Sequence, residues 1–161
     1  MHFAYATAGI LVSLTDIHIA SLIPHAGSMC LLDAVDTYDQ QRIVCSASSH
    51  RATHNPLRHA DQLSIQTGIE YAAQAVAAHG SLLMRQQNPQ AAPRGGMIAV
   101  LTDVRWQVER LDTVSDDLTI SAERLAELPQ GLQYRFALHT EQQELLSGEM
   151  IIALQTVESA A

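Results

Sequence analysis

Lysine is absent from this chain of 161 residues. All nine basic residues are arginine, set against 17 acidic ones, for a formal net charge of -8. No basic run occurs, and phosphate backbones need a concentrated positive surface, so nucleic-acid binding is excluded. Arg51, Arg58, Arg85, Arg94, Arg105 and Arg110 bracket the middle of the chain. Arginine forks suit anions, but solvated surface arginines are the plainer reading. Aromatics make up only 4% of residues, so the core has to be aliphatic and alanine-rich. The two cysteines, Cys30 and Cys45, form neither a C-x-x-C pair nor a Cys/His metal spacing. A disulfide framework and a structural zinc are thereby excluded, and the pair reads as buried free thiols in a reducing compartment. No G-x-S-x-G elbow supports a serine hydrolase. Residues 1–14 are mostly apolar but too short to span a bilayer, and they contain no basic n-region. They read as an N-terminal extension, and the expected location is cytoplasmic with no membrane span.

What is present is a globular composition, 47% hydrophobic and 16% charged. The length suits one domain with a core that needs no staples. The expected organisation is an extension over 1–15 and a single domain over 16–161, without repeats. Residues 16–23 read as a short helix capped by Thr15 or Asp16 and stopped by Pro24. Met29–Tyr38 and Arg42–Ser48 read as a strand hairpin about the turn Asp39-Gln-Gln. Residues 50–62, HRATHNPLRHADQ, form a polar loop with three histidines. A long helix follows over about 63–86, with Ile65, Ile69, Ala72 or Ala73, Val76, Gly80 and Leu83 on one face. About 24 residues make a helix roughly 36 Å long. Much of its face is small, so another backbone can lie close. Strands are expected at 97–108, 117–125, 132–140 and 144–155, as a meander. Strands segregated around one long helix give an α+β domain.

Three segments carry a family likeness. Leu22-Ile-Pro-His-Ala-Gly-Ser-Met-Cys-Leu-Leu-Asp-Ala-Val35 resembles the opening of the 3-hydroxyacyl-[acyl carrier protein] dehydratases: a Pro-His dipeptide, a linker, then an apolar strand with an aspartate. Gly68–Gly80 is similar to that family's alanine-rich central helix, where an acid precedes a glutamine by four residues; here these are Glu70 and Gln74. Gly96–Leu125 resembles the strand, arginine-containing turn and acidic pair that follow. The likeness covers about 16–155 and is nearest to a divergent subgroup associated with aryl polyene-type lipid clusters. It implies a hot-dog fold, an antiparallel β-sheet wrapped around one long central α-helix. It also implies a homodimer or higher homo-oligomer, and a substrate carried on the phosphopantetheine of acyl carrier protein, with no other cofactor and no metal. The family's His-Phe-Pro-Gly loop is replaced by His54-Asn-Pro-Leu57, and the gap to Glu70 is two residues longer.

Dehydrating a 3-hydroxyacyl thioester to a trans-2-enoyl thioester needs a base for the proton beside the carbonyl. It also needs an acid for the departing hydroxyl, and donors for charge developing on the thioester oxygen. His54 is the candidate base. Glu70 is the candidate acid, since an apolar site favours a neutral carboxyl. Backbone N–H groups near Ser64 and Ile65 are the candidate donors, and Gln74, one turn beyond, would orient Glu70. Thr67-Gly-Ile-Glu70 also matches a capping box, which would make Glu70 merely the closure of the helix start. His50 and His59 rival His54. His25 is read as structural, His79 as an ordinary helix residue, and His18 and His139 have no context. His50, His54 and His59 lack a second motif that would make a metal site. The same fold could instead carry a thioesterase with an ionised Glu70, or a non-catalytic acyl-binding subunit.

Overall fold

The computed structural model describes residues 3–5, 11–14 and 17–155. Strands β1 (Phe3–Tyr5) and β2 (Leu11–Ser13) pair antiparallel within the expected N-terminal extension. The expected cap at Thr15 or Asp16, and with it the expected domain boundary, lies outside the described residues. Where a short helix was expected, only a 3₁₀ turn forms, at Ile19–Ser21. So few residues before a proline do not offset helix nucleation. The turn still buries Ile19, Leu22 and Ile23 in the core.

Strands β3 (Ala34–Tyr38) and β4 (Arg42–Ala47) form the first hairpin. β3 starts five residues later than expected. Gly27 adopts a positive φ of 59° and opens a second 3₁₀ turn, Gly27–Met29. The Leu31 N–H and Met29 carbonyl then bond the side chain of Gln74 rather than a neighbouring strand.

Helix α1 (Gly68–Gln87) is preceded by the 3₁₀ turn Ile65–Thr67. The segment before it cannot be helical because its donors are used elsewhere. Leu63 N–H bonds Asp112 Oδ1 at 2.8 Å, and Ile65 N–H bonds the Glu109 carbonyl at 3.0 Å. Ser64 caps the turn by accepting from Gln66 N–H. Gly68 is required by packing: a Cβ there would lie 2.8 Å from Leu146 Cδ2 and 2.9 Å from Leu138 Cδ2.

Four further strands follow: β5 (Gly96–Trp106), β6 (Leu118–Leu128), β7 (Gly131–His139) and β8 (Glu144–Leu154). They are not a simple meander. The sheet order is β3-β4-β6-β7-β8-β5, antiparallel throughout. Only β6-β7-β8 run hairpin to hairpin, while β5 lies at the far edge. The connection 107–117 is too long for a hairpin. It passes beside the helix start, where Leu111 N–H bonds the Leu63 carbonyl, and delivers the chain to mid-sheet. One long helix against a six-stranded antiparallel sheet is the hot-dog fold.

The helix packs chiefly on β6, β4 and β7. Its buried stripe is Tyr71, Ala75, Ala78 and Leu82, at spacings of four, three and four. It coincides only in part with the stripe read from periodicity, of which Ile65, Ala72 and Val76 are buried. Ile69, Ala73, Gly80 and Leu83 stay half-exposed beside it. The alanines and the tyrosine hydroxyl weakened the signal of the true core face. The stronger apolar track belongs to a second, uncovered face.

Candidate active site

Pro24-His25 sits in the irregular stretch between the first two 3₁₀ turns, and α1 holds that stretch from both sides. Ser81 donates to the Leu22 carbonyl at 2.5 Å, and Arg85 bonds Ser21. Gln74 donates to the Met29 carbonyl at 2.6 Å and accepts from Leu31 N–H at 2.9 Å. With residues on either side tied down, the His25 ring meets the first turn of α1. Its Nε2 lies 2.9 Å from Glu70 Oε1, with the side chains 28% and 32% exposed. His25 Nδ1 is shut from solvent and has no hydrogen-bond partner among the described residues. The Nε2 edge is therefore the one offered to chemistry. Thr67 makes no side-chain cap, so Glu70 does not close a capping box; its carboxylate is committed to His25.

The pair stands at one end of an apolar cavity of about 650 Å³. From α1 the wall is Ala73, Val76, Ala77, Gly80 and Met84, and from the sheet Ile98, Leu132 and Ile152. The wall is thus the second apolar face of the helix. Arg94 and Arg124 also line it, and neither forms a salt bridge among the described residues.

Tyr134 lines the same cavity. His79 Nε2 lies 2.8 Å from the Asp39 carbonyl, which only accepts, so Nε2 carries the proton. Nδ1 must then accept, and the Tyr134 hydroxyl donates to it at 2.7 Å. Burial lowers the His79 pKa, so the imidazole is held neutral, and burial pushes the Tyr134 hydroxyl up to about 12. His79, read from sequence as an ordinary helix residue, is a fully buried link between helix and sheet.

His54 is exposed and makes no hydrogen bond or ion pair with Glu70. Its neighbour Asn55 is buried. Asn55 Nδ2 donates to the Ser49 carbonyl at 2.9 Å and to the Tyr71 hydroxyl at 3.1 Å. The loop is therefore sewn to Tyr71, about 100° around the helix from Glu70. Leu57, in place of the family's glycine, packs against the core. Ala60 and Asp61 turn the loop at positive φ, under the clamp of Arg58 on the His50, Ala52 and Asp61 carbonyls. His50 is buried, with Nε2 donating to the Val114 carbonyl, and burial lowers its pKa; His59 is exposed. Gln74 makes no hydrogen bond to Glu70; both ends of its amide serve the His25 segment. The Ile65 amide is spent on the Glu109 carbonyl; the Ser64 hydroxyl and carbonyl serve their own turn, and its N–H has no hydrogen-bond partner among the described residues. Within one chain the structure brings His25, not His54, to Glu70. The sequence signal for it is the Pro24-His25 dipeptide.

Comparison with solved structures finds the same fold widely. The ApeI:P dehydratase heterocomplex of Xenorhabdus doucetiae matches with a TM-score of 0.76 at 20% identity, over 88% of this chain and 93% of that one. The E. coli PaaI protein from the phenylacetic acid degradation operon gives 0.52 at 15% identity, over 74% and 80%. A hypothetical thioesterase of Streptococcus pneumoniae, solved with coenzyme A, gives 0.51 at 10% identity, over 75% and 84%. At such identities these likenesses establish the fold. Comparison with curated proteins gives no match. The model of one family, ApeP-like, described as ApeP dehydratase, matches residues 17–159. With nearly the whole chain covered, the protein belongs to the ApeP-like dehydratase family.

Proposed function

We propose that this chain eliminates water from a 3-hydroxyacyl thioester borne on acyl carrier protein, using His25 and Glu70 as its proton-transfer pair. The observation that carries the reading is the 2.9 Å contact between them at the end of an apolar cavity. The bond changes fit a pair. With the substrate's Cα–Cβ bond laid beside the contact, His25 takes the α proton and the C–H electrons form the double bond. The C–O bond breaks, Glu70 protonates the oxygen, and water leaves. His25 is left protonated and Glu70 ionised, in contact, and the proton returns directly to Glu70. The pair begins and ends each turnover with the same proton count. The elimination is redox-neutral, so two protic groups suffice and no further cofactor is called for.

Two surfaces support the finer reading. Arg94 and Arg124 at the cavity suit the phosphate of a phosphopantetheine arm or an acidic carrier. The edge strand β5 exposes Met97, Val100, Leu101 and Trp106, which suits a second hot-dog chain, identical or related.

The test is direct. Purified protein is offered 3-hydroxyacyl-pantetheine and 3-hydroxyacyl-carrier thioesters, while enoyl product and free thiol are followed separately. Enoyl product without thiol is expected. Thiol without enoyl would mean a thioesterase. Neither product from folded protein, alone or with a hot-dog partner, would mean an acyl-binding subunit.

A further inference from the structure

The two glycines of helix α1 have different reasons to be there. Gly68 is imposed by the leucines packed on it. Gly80 is not: a Cβ built there meets no atom within 4 Å, and its φ is not in the positive region. Glycine is the poorest helix former after proline, so a mid-helix glycine that packing does not need points to another constraint. Gly80 faces the cavity, on one track with Ala73 and Ala77 leading back to Glu70. The next residues along the wall, Leu83 and Met84, are large. The small-sided track that starts beside the His25–Glu70 pair therefore ends at Gly80.

We propose that Gly80 sets the length of acyl tail this protein accepts, by leaving open the distal part of the cavity. This rests on the dehydratase reading of the site. Gly80 lies ten residues beyond Glu70, about 15 Å along the helix axis. An extended carbon chain advances about 1.25 Å per atom, from bonds of about 1.5 Å at about 111°. A tail therefore reaches Gly80 at about its twelfth carbon. Shorter tails never meet it.

The experiment compares wild type, Gly80→Ala and Gly80→Leu in the full chain, on 3-hydroxyacyl-pantetheine thioesters of four to eighteen carbons, whose tails beyond the reacting Cβ run from one to fifteen carbons. Gly80→Leu is expected to keep kcat/KM for the shortest substrates within about twofold. For the longest it should lose about tenfold or more, as misfit side chains do in apolar pockets. Gly80→Ala should fall between and should raise Tm, because alanine favours the helix. A uniform loss at every length from folded protein, or no loss at the longest, would overturn the proposal. Calorimetric binding of unreactive alkyl-pantetheine thioethers of the same lengths separates this idea from the reading beneath it. Length-selective loss of binding in a protein that makes no enoyl product keeps the channel and removes the dehydratase. Turnover that ignores Gly80 does the reverse. Should Gly80→Leu fail to fold, Gly80→Ala carries the same comparison with a smaller expected loss.

Discussion

A histidine beside a carboxylate is useful only if something holds both in place. Here Glu70 is set by the helix, and His25 by Gln74 and Ser81 acting on the backbone around it. Replacing Glu70 by Gln, or His25 by Gln, is expected to lower kcat by about a hundredfold or more, the usual worth of a positioned acid or base. His54→Gln should stay within a few-fold of wild type, because its ring is exposed and Asn55 holds the loop. Steady-state rates of the three variants assign the base, and a large loss at His54 alone would return it to that residue. Glu70 was legible because a lone acid in an alanine-rich helix is conspicuous. His25 was not, because its approach depends on side chains 49 and 56 residues further along the chain, Gln74 and Ser81. Buried histidines make a second residue-scale prediction. His50 and His79 are held neutral by burial, so their folded-state pKa values lie below the usual 6.5. The unfolded chain takes up protons first as pH drops. Their contribution is therefore complete above about pH 6.5 and is lost as pH falls below it, at up to about 1.4 kcal/mol per pH unit for each. Denaturant melts at pH 7.5, 6.5 and 5.5 should show that fall, and a His79→Gln variant, with its own baseline, a shallower one.

Helix α1 depends on a clamp outside itself. Asp112 accepts from Leu63 N–H through Oδ1 and is gripped by Arg110, which holds its carboxyl down at about 2. A depressed acid stabilises the fold above its unfolded value near 3.9, and that contribution disappears as pH falls toward 2. Asp112→Asn should therefore flatten the acid limb of the stability curve between about pH 4 and 2. At neutral pH it should cost about 1–3 kcal/mol, the penalty for weakening a charged acceptor of a part-buried N–H. Circular dichroism melts across that range measure both; an unchanged acid limb would remove Asp112 from the account. The long helix and the six strands of the main sheet, with their order, were readable from periodicity; the short helix expected over 16–23 was not, since only a 3₁₀ turn forms there. Where the helix begins was not, because the competing partners of Leu63 and Ile65 come from residues 109 and 112. The core face was legible only in part: Ile65, Ala72 and Val76 are buried, but Tyr71, Ala75 and Ala78, which carry less hydrophobic weight than Ile69 and Leu83, are buried in their place.

At the scale of the molecule, the α+β class followed from a helix between two groups of strands and the hot-dog architecture from the family resemblance, but the position of β5 followed from neither. It depends on where the connection 107–117 carries the chain. The consequence is an edge strand of eleven residues with large apolar side chains exposed on neighbouring positions, Val100 and Leu101, which point to opposite faces. An edge of this kind invites pairing unless charge, proline or a bulge blocks it. The chain has no lysine to place there. Two irregularities interrupt it, a register shift between Ile98 and Val100 and another between Thr102 and Arg105, where Asp103 has a φ of 52°; neither carries a charge or a proline into the half from Met97 to Leu101. The half from Met97 to Leu101 borders the cavity and stays open, so a partner pairing there would close both the strand edge and the cavity wall. Val100→Lys is accordingly expected to shift the protein to a smaller assembly, read by light scattering on a sizing column. Its Tm should fall and lose the concentration dependence that association confers on wild type. Catalysis should decline with it, since the cavity loses its second wall. If mass and Tm match wild type at every concentration, β5 is not where the chains meet, and the cavity is complete within one chain.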